Sequence, residues 1–186
     1  MKSLYIFLIA TLIANVSFAK TYTVGSGKWT DASIWTNGYP GTTINADDEV
    51  IINGQVTMNT SIVVEGKLQV EKGSAMVGMK DLVIAKSGSF VNNGNTVMKR
   101  IMNEGNIQNN LIMETMMDFD NKGTIDNNNN VVSGNNFDNF GGKVAGNNGA
   151  YFVNNTVHTS PSTVISKEVK VFAGEAIEAS SETASR

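Results

Sequence analysis

The sequence predicts an all-β chain wound as a single-stranded β-solenoid, a parallel β-helix, and three observations carry that expectation. The lines IAKSGSFVN from Ile84, IMNEGNIQN from Ile101, FDNKGTIDN from Phe119 and FDNFGGKVAGN from Phe137 recur 17, 18 and 18 residues apart. A near-constant period of this size marks one structural coil per repeat. Each line also reads apolar, x, Asn or Lys, x, Gly, x, apolar, x, Asn, with one extra residue after Gly141 in the fourth copy. The intervening stretches are short clusters of Val, Ile, Leu and Met, interrupted by Gly and Asn too often for a helix of ten or more residues. Coils of about 17–18 residues follow. An antiparallel β-sandwich also uses short strands and glycine turns, but nothing in that arrangement demands one corner at a fixed period. The tract DNNNN at 126–130 invites a reading as disorder, against which stand the apolar positions on both sides.

Residues 1–19 have the form of a signal peptide. Lys2 precedes an apolar run at 4–13, and Ser17 and Ala19 supply the small residues a peptidase reads. That run is shorter than the roughly 20 apolar residues a spanning helix needs, so no transmembrane anchor is expected after cleavage. Without cysteine, lipid attachment at a new N-terminus, disulfides and thiolate metal sites are all excluded. The mature chain would carry 13 basic and 17 acidic groups. That weak acidity disfavours nucleic acid, which wants a basic stripe. An exported protein is expected, whether periplasmic, outer-surface or extracellular.

Residues 20–66 read as an N-terminal cap with the first strands. Trp29, Trp35 and Pro40 precede the acidic strand DDEVII and the turn Asn53-Gly54. An open solenoid end exposes core and strand edge, and an irregular loop with two tryptophans answers that liability. Residues 67–172 form the solenoid proper. Gly88, Gly105, Gly123 and Gly141 are placed at its corners, where positive φ is cheapest, and Asn92, Asn109 and Asn127 at the next bend. Stacked identical asparagines would form amide ladders. Methionines 76, 79, 98, 102, 113, 116 and 117 are expected to fill the narrow core. Residues 173–186 are small and acidic, and are expected to form a flexible tail.

The order Gly27, Trp29, Asp31, Trp35, Gly38, Pro40, Asp47, Asp48, Val50, Ile52, Gly54 resembles the opening of exported β-helical proteins of the Bacteroidetes. It is also similar to the start of the eight-glycine domain of some extracellular, carbohydrate-associated proteins. The resemblance covers roughly 45 residues and implies a β-helical architecture in an extracellular setting.

Chemistry is thinly supplied. Within DFDNKGTIDNNN, a calcium loop would use Asp118, Asp120 and Asp126. Lys122 occupies one ligand position, however, and Asn129 stands where a bidentate glutamate belongs, so these three acids are weak candidates and no cofactor is expected. His158 is the sole histidine, and no nucleophile elbow or triad order accompanies it. No catalytic residue is assigned and no enzyme is expected. Trp29, Trp35 and Tyr39 would form a sugar-binding row if exposed. The expectation is therefore a non-catalytic structural or adhesive surface protein that self-associates end to end or contacts cell-surface or matrix glycan. The alternative is a carbohydrate-binding or carbohydrate-active module.

Overall fold

A computed structural model describes residues 20–179. The signal peptide expected at 1–19, and residues 180–186 of the expected tail, lie outside the described residues. Strands of two to four residues alternate with tight corners, and most strands bury every second side chain, as in the pattern of Ser89–Asn92 or Asn106–Asn109. A strand this short gains little alone. Its backbone groups are satisfied by parallel partners on the coils before and after it.

The result is a β-solenoid with three parallel faces, each an eight-stranded sheet. The first sheet contains Thr21–Val24, Glu49–Ile52, Lys67–Val70, Ser89–Asn92, Asn106–Asn109, Thr124–Asn127, Lys143–Ala145 and Val164–Ile165. The second runs from Gly27–Lys28 through Gln55–Thr57, Ala75–Val77, Asn95–Met98, Ile112–Thr115, Asn130–Ser133 and Ala150–Val153 to Lys170–Ala173. The third runs from Thr43–Ile44 through Ile62–Val64, Asp81–Ile84, Arg100–Asn103, Phe119–Asn121, Phe137–Asn139 and Thr156–Thr159 to Ala176–Ala179. Antiparallel pairing among the described residues is confined to a bridge between Val24 and Trp35, which excludes the sandwich. Rungs register 17 to 19 residues apart from Phe90 through Ile107 and Ile125 to Val144. Longer corners stretch the spacing to 22 between Leu68 and Phe90 and 21 between Val144 and Ile165, so the average coil is about 20 residues.

Inward side chains stack in columns. Ile62, Leu82, Ile101, Phe119, Phe137 and Val157 line the third sheet, and Phe119 packs edge-on against Phe137, which stacks on Tyr151 of the second sheet at 4.7 Å. The columns at two corners change character along the rod. Val24, Ile52 and Val70 are followed in register by Asn92, Asn109 and Asn127, while Ile44, Val64 and Ile84 are followed by Asn103, Asn121 and Asn139. All six asparagines are buried. Asn92 Nδ2 donates to Asn109 Oδ1 at 2.8 Å and Asn109 Nδ2 to Asn127 Oδ1 at 2.8 Å; Asn103 to Asn121 and Asn121 to Asn139 each span 2.7 Å. Spare amide protons reach corner carbonyls such as Ile112 O, Asn130 O and Ala150 O. Amide ladders along the rod thus hold the later coils where aliphatic contacts hold the earlier ones.

Several sequence-level expectations are corrected by this register. Ile84 pairs with Asn103, and Leu82, not Ile84, pairs with Ile101. The corner after Ile84 contains two more residues than the corner after Asn103, so the first repeat line slips before its glycine and realigns at Phe90 with Ile107. In the fourth line Gly142, not Gly141, takes the place of Gly123, because Thr124 pairs with Lys143. Positive φ is found at Gly141 (78°) but not at Gly88, Gly105 or Gly123, nor at Asn92, Asn109 or Asn127. The first three glycines are required by stacking: a Cβ at any of them would strike carbonyl oxygens of the coil beneath. The solenoid is also longer than 67–172. Its first coil begins at Thr21 inside the expected cap, and Lys170–Ala173 and Ala176–Ala179, the latter within the expected flexible tail, form paired strands. Among the methionines, 76, 98 and 113 are core residues, whereas Met79, Met116 and Met117 are exposed at corners of the second sheet.

Candidate functional site

The third sheet carries the densest ionisable chemistry on its outer surface. Strand alternation turns every second position outward, and in register one such column reads Val83, Met102, Asp120, Asp138, His158, Glu178. The sequence had already signalled part of this row, because FDN occurs at both 119–121 and 137–139. Extending it to His158 and Glu178 requires the register across corners of unequal length.

His158 Nδ1 lies 2.5 Å from Asp138 Oδ1, and its Nε2 is 3.7 Å from Glu178 Oε2. The Phe140 ring lies nearly parallel to the imidazole, with centroids 6.3 Å apart. Beside them Met102, Asn103, Glu104, Asp120, Lys122, Asp138 and Phe140 line a shallow hollow of about 320 Å³. Asp118, on the neighbouring outward position, accepts from Asn135 Nδ2 at 2.5 Å and from the Asn136 backbone N–H at 3.3 Å.

Partial burial, followed by the charge of Asp138, a hydrogen bond with it and the charge of Asp118, pushes the Asp120 carboxyl up to about 6, against the opposing pull of Arg100. The Asp120 carboxyl therefore keeps its proton into mildly acidic conditions, beside the Asp138 side chain. The sign of the stability effect follows. Between the ordinary carboxyl value of 3.8 and about 6, the folded chain binds more protons than the unfolded chain. Stability must fall as pH rises through that window. Asp120→Asn keeps a donor toward Asp138 and removes one charge. It is expected to raise the melting temperature at about pH 7 and to flatten the decline between about pH 4 and pH 7; unchanged melting curves across that range would refute the raised Asp120 carboxyl.

The weak calcium candidates are not brought together. Asp120 lies on the third sheet with Asp118 just before its strand, whereas Asp126 follows the corner at Gly123 and sits on the first, between Gln108 and Ala145 in register. Among the described residues no group of three or more His, Cys, Asp or Glu is arranged to hold a metal ion.

The tryptophans do not form an exposed sugar-binding row either. Trp29 and Trp35 are buried and meet edge to face at 4.9 Å. Trp29 Nε1 donates to Gly41 O and Trp35 Nε1 to Trp29 O, each at 2.9 Å. Large amphipathic rings with satisfied N–H groups belong inside. Tyr39 alone of the three is exposed. The antiparallel segment at 34–36 lies along the outer edge of Thr21–Val24: Thr36 N–H donates to Thr23 O, Gly25 N–H to Ile34 O, and Thr23 N–H to Thr36 Oγ1. At this end of the rod the edge of the first sheet is covered in backbone as well as side chain.

Exposed apolar groups gather elsewhere. The outward column of the second sheet reads Thr57, Val77, Val97, Glu114, Val132, Phe152, Phe172. Phe152 and Phe172 are 43% and 51% exposed, and their rings stack at 5.2 Å with a 9° interplanar angle. In the last coil Ile177 continues the core column of Phe137 and Val157 yet is 62% exposed. Among the described residues no helix is long and apolar enough to cross a membrane. No family model, curated protein or solved structure matches the chain.

Proposed function

We propose that this chain is an exported, non-catalytic structural or adhesive protein whose solenoid associates with further copies of itself at a surface or in a matrix. The observation that carries the reading is the apolar ground left uncovered at the last coil and on the adjoining second sheet, where Ile177, Phe172 and Phe152 face solvent. Contiguous exposed apolar groups on a rigid sheet mark a contact surface. Strand edges at the end of a solenoid add backbone pairing to that contact. The resemblance of residues 27–54 to the opening of exported β-helical proteins supports the extracytoplasmic setting.

Light scattering coupled to size-exclusion chromatography of residues 20–186, with negative-stain electron microscopy, tests the reading. Particles of two or more copies are the expected result. A monomer at every concentration reached would overturn it.

A further inference from the structure

The two ends of the rod are built differently, and that difference dictates how copies meet. At the first coil the edge of Thr21–Val24 is already occupied by the antiparallel segment at 34–36. Asn37 Nδ2 also donates to Thr21 O. The two tryptophans fill the space beneath. A following copy arriving in the parallel sense would find those backbone groups taken. Head-to-tail growth is blocked on this face.

At the other end Val164–Ile165, Lys170–Ala173 and Ala176–Ala179 are each the last strand of their sheet among the described residues. Ile165, Val171 and Ala173 pack only partly against the core, and Ile177 is mostly exposed although its column is buried at Phe119, Phe137 and Val157.

We infer that the last coil receives the last coil of a second copy, giving a closed, tail-to-tail two-fold dimer; this rests on the self-association proposed above. A two-fold axis perpendicular to the rod reverses strand direction, so edges that are parallel within one chain meet as antiparallel pairs across the junction. The contact is self-complementary, and Ile177, Val171 and Ile165 of each copy face the same apolar group of residues on the other. Lys167, Glu168, Lys170, Glu175 and Glu178 nearly balance in charge, so like ends are not driven apart. Phe172 is the outermost ring of the stack begun by Phe152. With the second sheets abutting, its open face meets the partner's Phe172 and the aromatic column continues across the axis.

Because the chain contains no cysteine, single cysteines are specific spin-label sites. Lys28→Cys and Lys170→Cys mark the first and last strands of the second sheet. With rungs about 4.8 Å apart, the tail-to-tail dimer places the two Lys170→Cys labels within about 20 Å and the two Lys28→Cys labels about 70 Å apart. Head-to-tail stacking would separate both kinds of pair by about 40 Å instead. Ile177→Glu, at a mostly exposed position, is expected to leave the melting temperature of dilute monomer unchanged and to weaken association about tenfold or more. Association with equal label distances, or filaments in the microscope, would overturn the tail-to-tail arrangement while leaving self-association intact. Undiminished dimerisation of the Ile177→Glu variant would overturn it as well. Absence of any association would overturn both proposals.

Discussion

Asn109→Asp is expected to cost on the order of 4 kcal/mol of stability at neutral pH, because it places a buried carboxylate where an amide now gives protons. Asn109 Nδ2 points at three acceptors: Asn127 Oδ1 at 2.8 Å, Leu111 O at 3.0 Å and Asn130 O at 3.2 Å. The aspartate would keep the bond received from Asn92 but face those oxygens with charge. Its own carboxyl value must rise in that setting, so part of the loss should be recovered as pH falls and the group takes up a proton. Asn109→Leu, similar in volume, is expected to cost about 2 kcal/mol, since it takes the acceptor from one N–H of the Asn92 amide and the donor from the Leu111 and Asn130 carbonyls. Denaturant unfolding at two pH values ranks the variants. A neutral Asn109→Leu would mean that the ladder contributes shape alone, as the aliphatic Ile52 and Val70 do in the same column.

Gly123→Val is expected to destabilise the fold by about 3 kcal/mol through overlap between coils. A Cβ at Gly123 would be driven into the carbonyl oxygen of Gly105 and would stand 2.9 Å from Asn103 Nδ2. Its φ is not positive, so Gly123→Asn should fare no better than Gly123→Ala. Gly141 makes the opposite case. Its φ is 78°, and the nearest atom to an added Cβ is Ser162 Oγ at 3.4 Å. There asparagine, which tolerates the left-handed region, should be better accepted than alanine. Thermal melts of the five variants separate crowding from backbone strain, and equal behaviour at both glycines would contradict the register.

The coil, its approximate period and the amide ladders were legible in the sequence because they repeat. What escaped was whatever depended on the exact length of a corner. Two additional residues between Ile84 and Gly88 displaced the first repeat line, and one additional glycine in the fourth exchanged the roles of Gly141 and Gly142. The same uncertainty concealed the row from Asp120 to Glu178, whose members are 18 to 20 residues apart and align only when every corner is counted. Composition misled in another way. Met79, Met116 and Met117 sit at corners of the second sheet, not in the core, because hydropathy alone does not say which side of a turn a residue occupies. The tryptophans lie inside because no earlier coil among the described residues covers the first one, and rings of that size close the gap.

Asn109 and Asn121, in the middle of their ladders, each receive from one neighbour and give to the next in the same way, so the interior holds no count of its own turns. Removing or duplicating one whole turn between Asn103 and Asn121 would restore the same donors and acceptors on either side of the splice. The span of the molecule is therefore decided at its extremities, and kindred chains of different reach could differ by complete turns while sharing one cross-section.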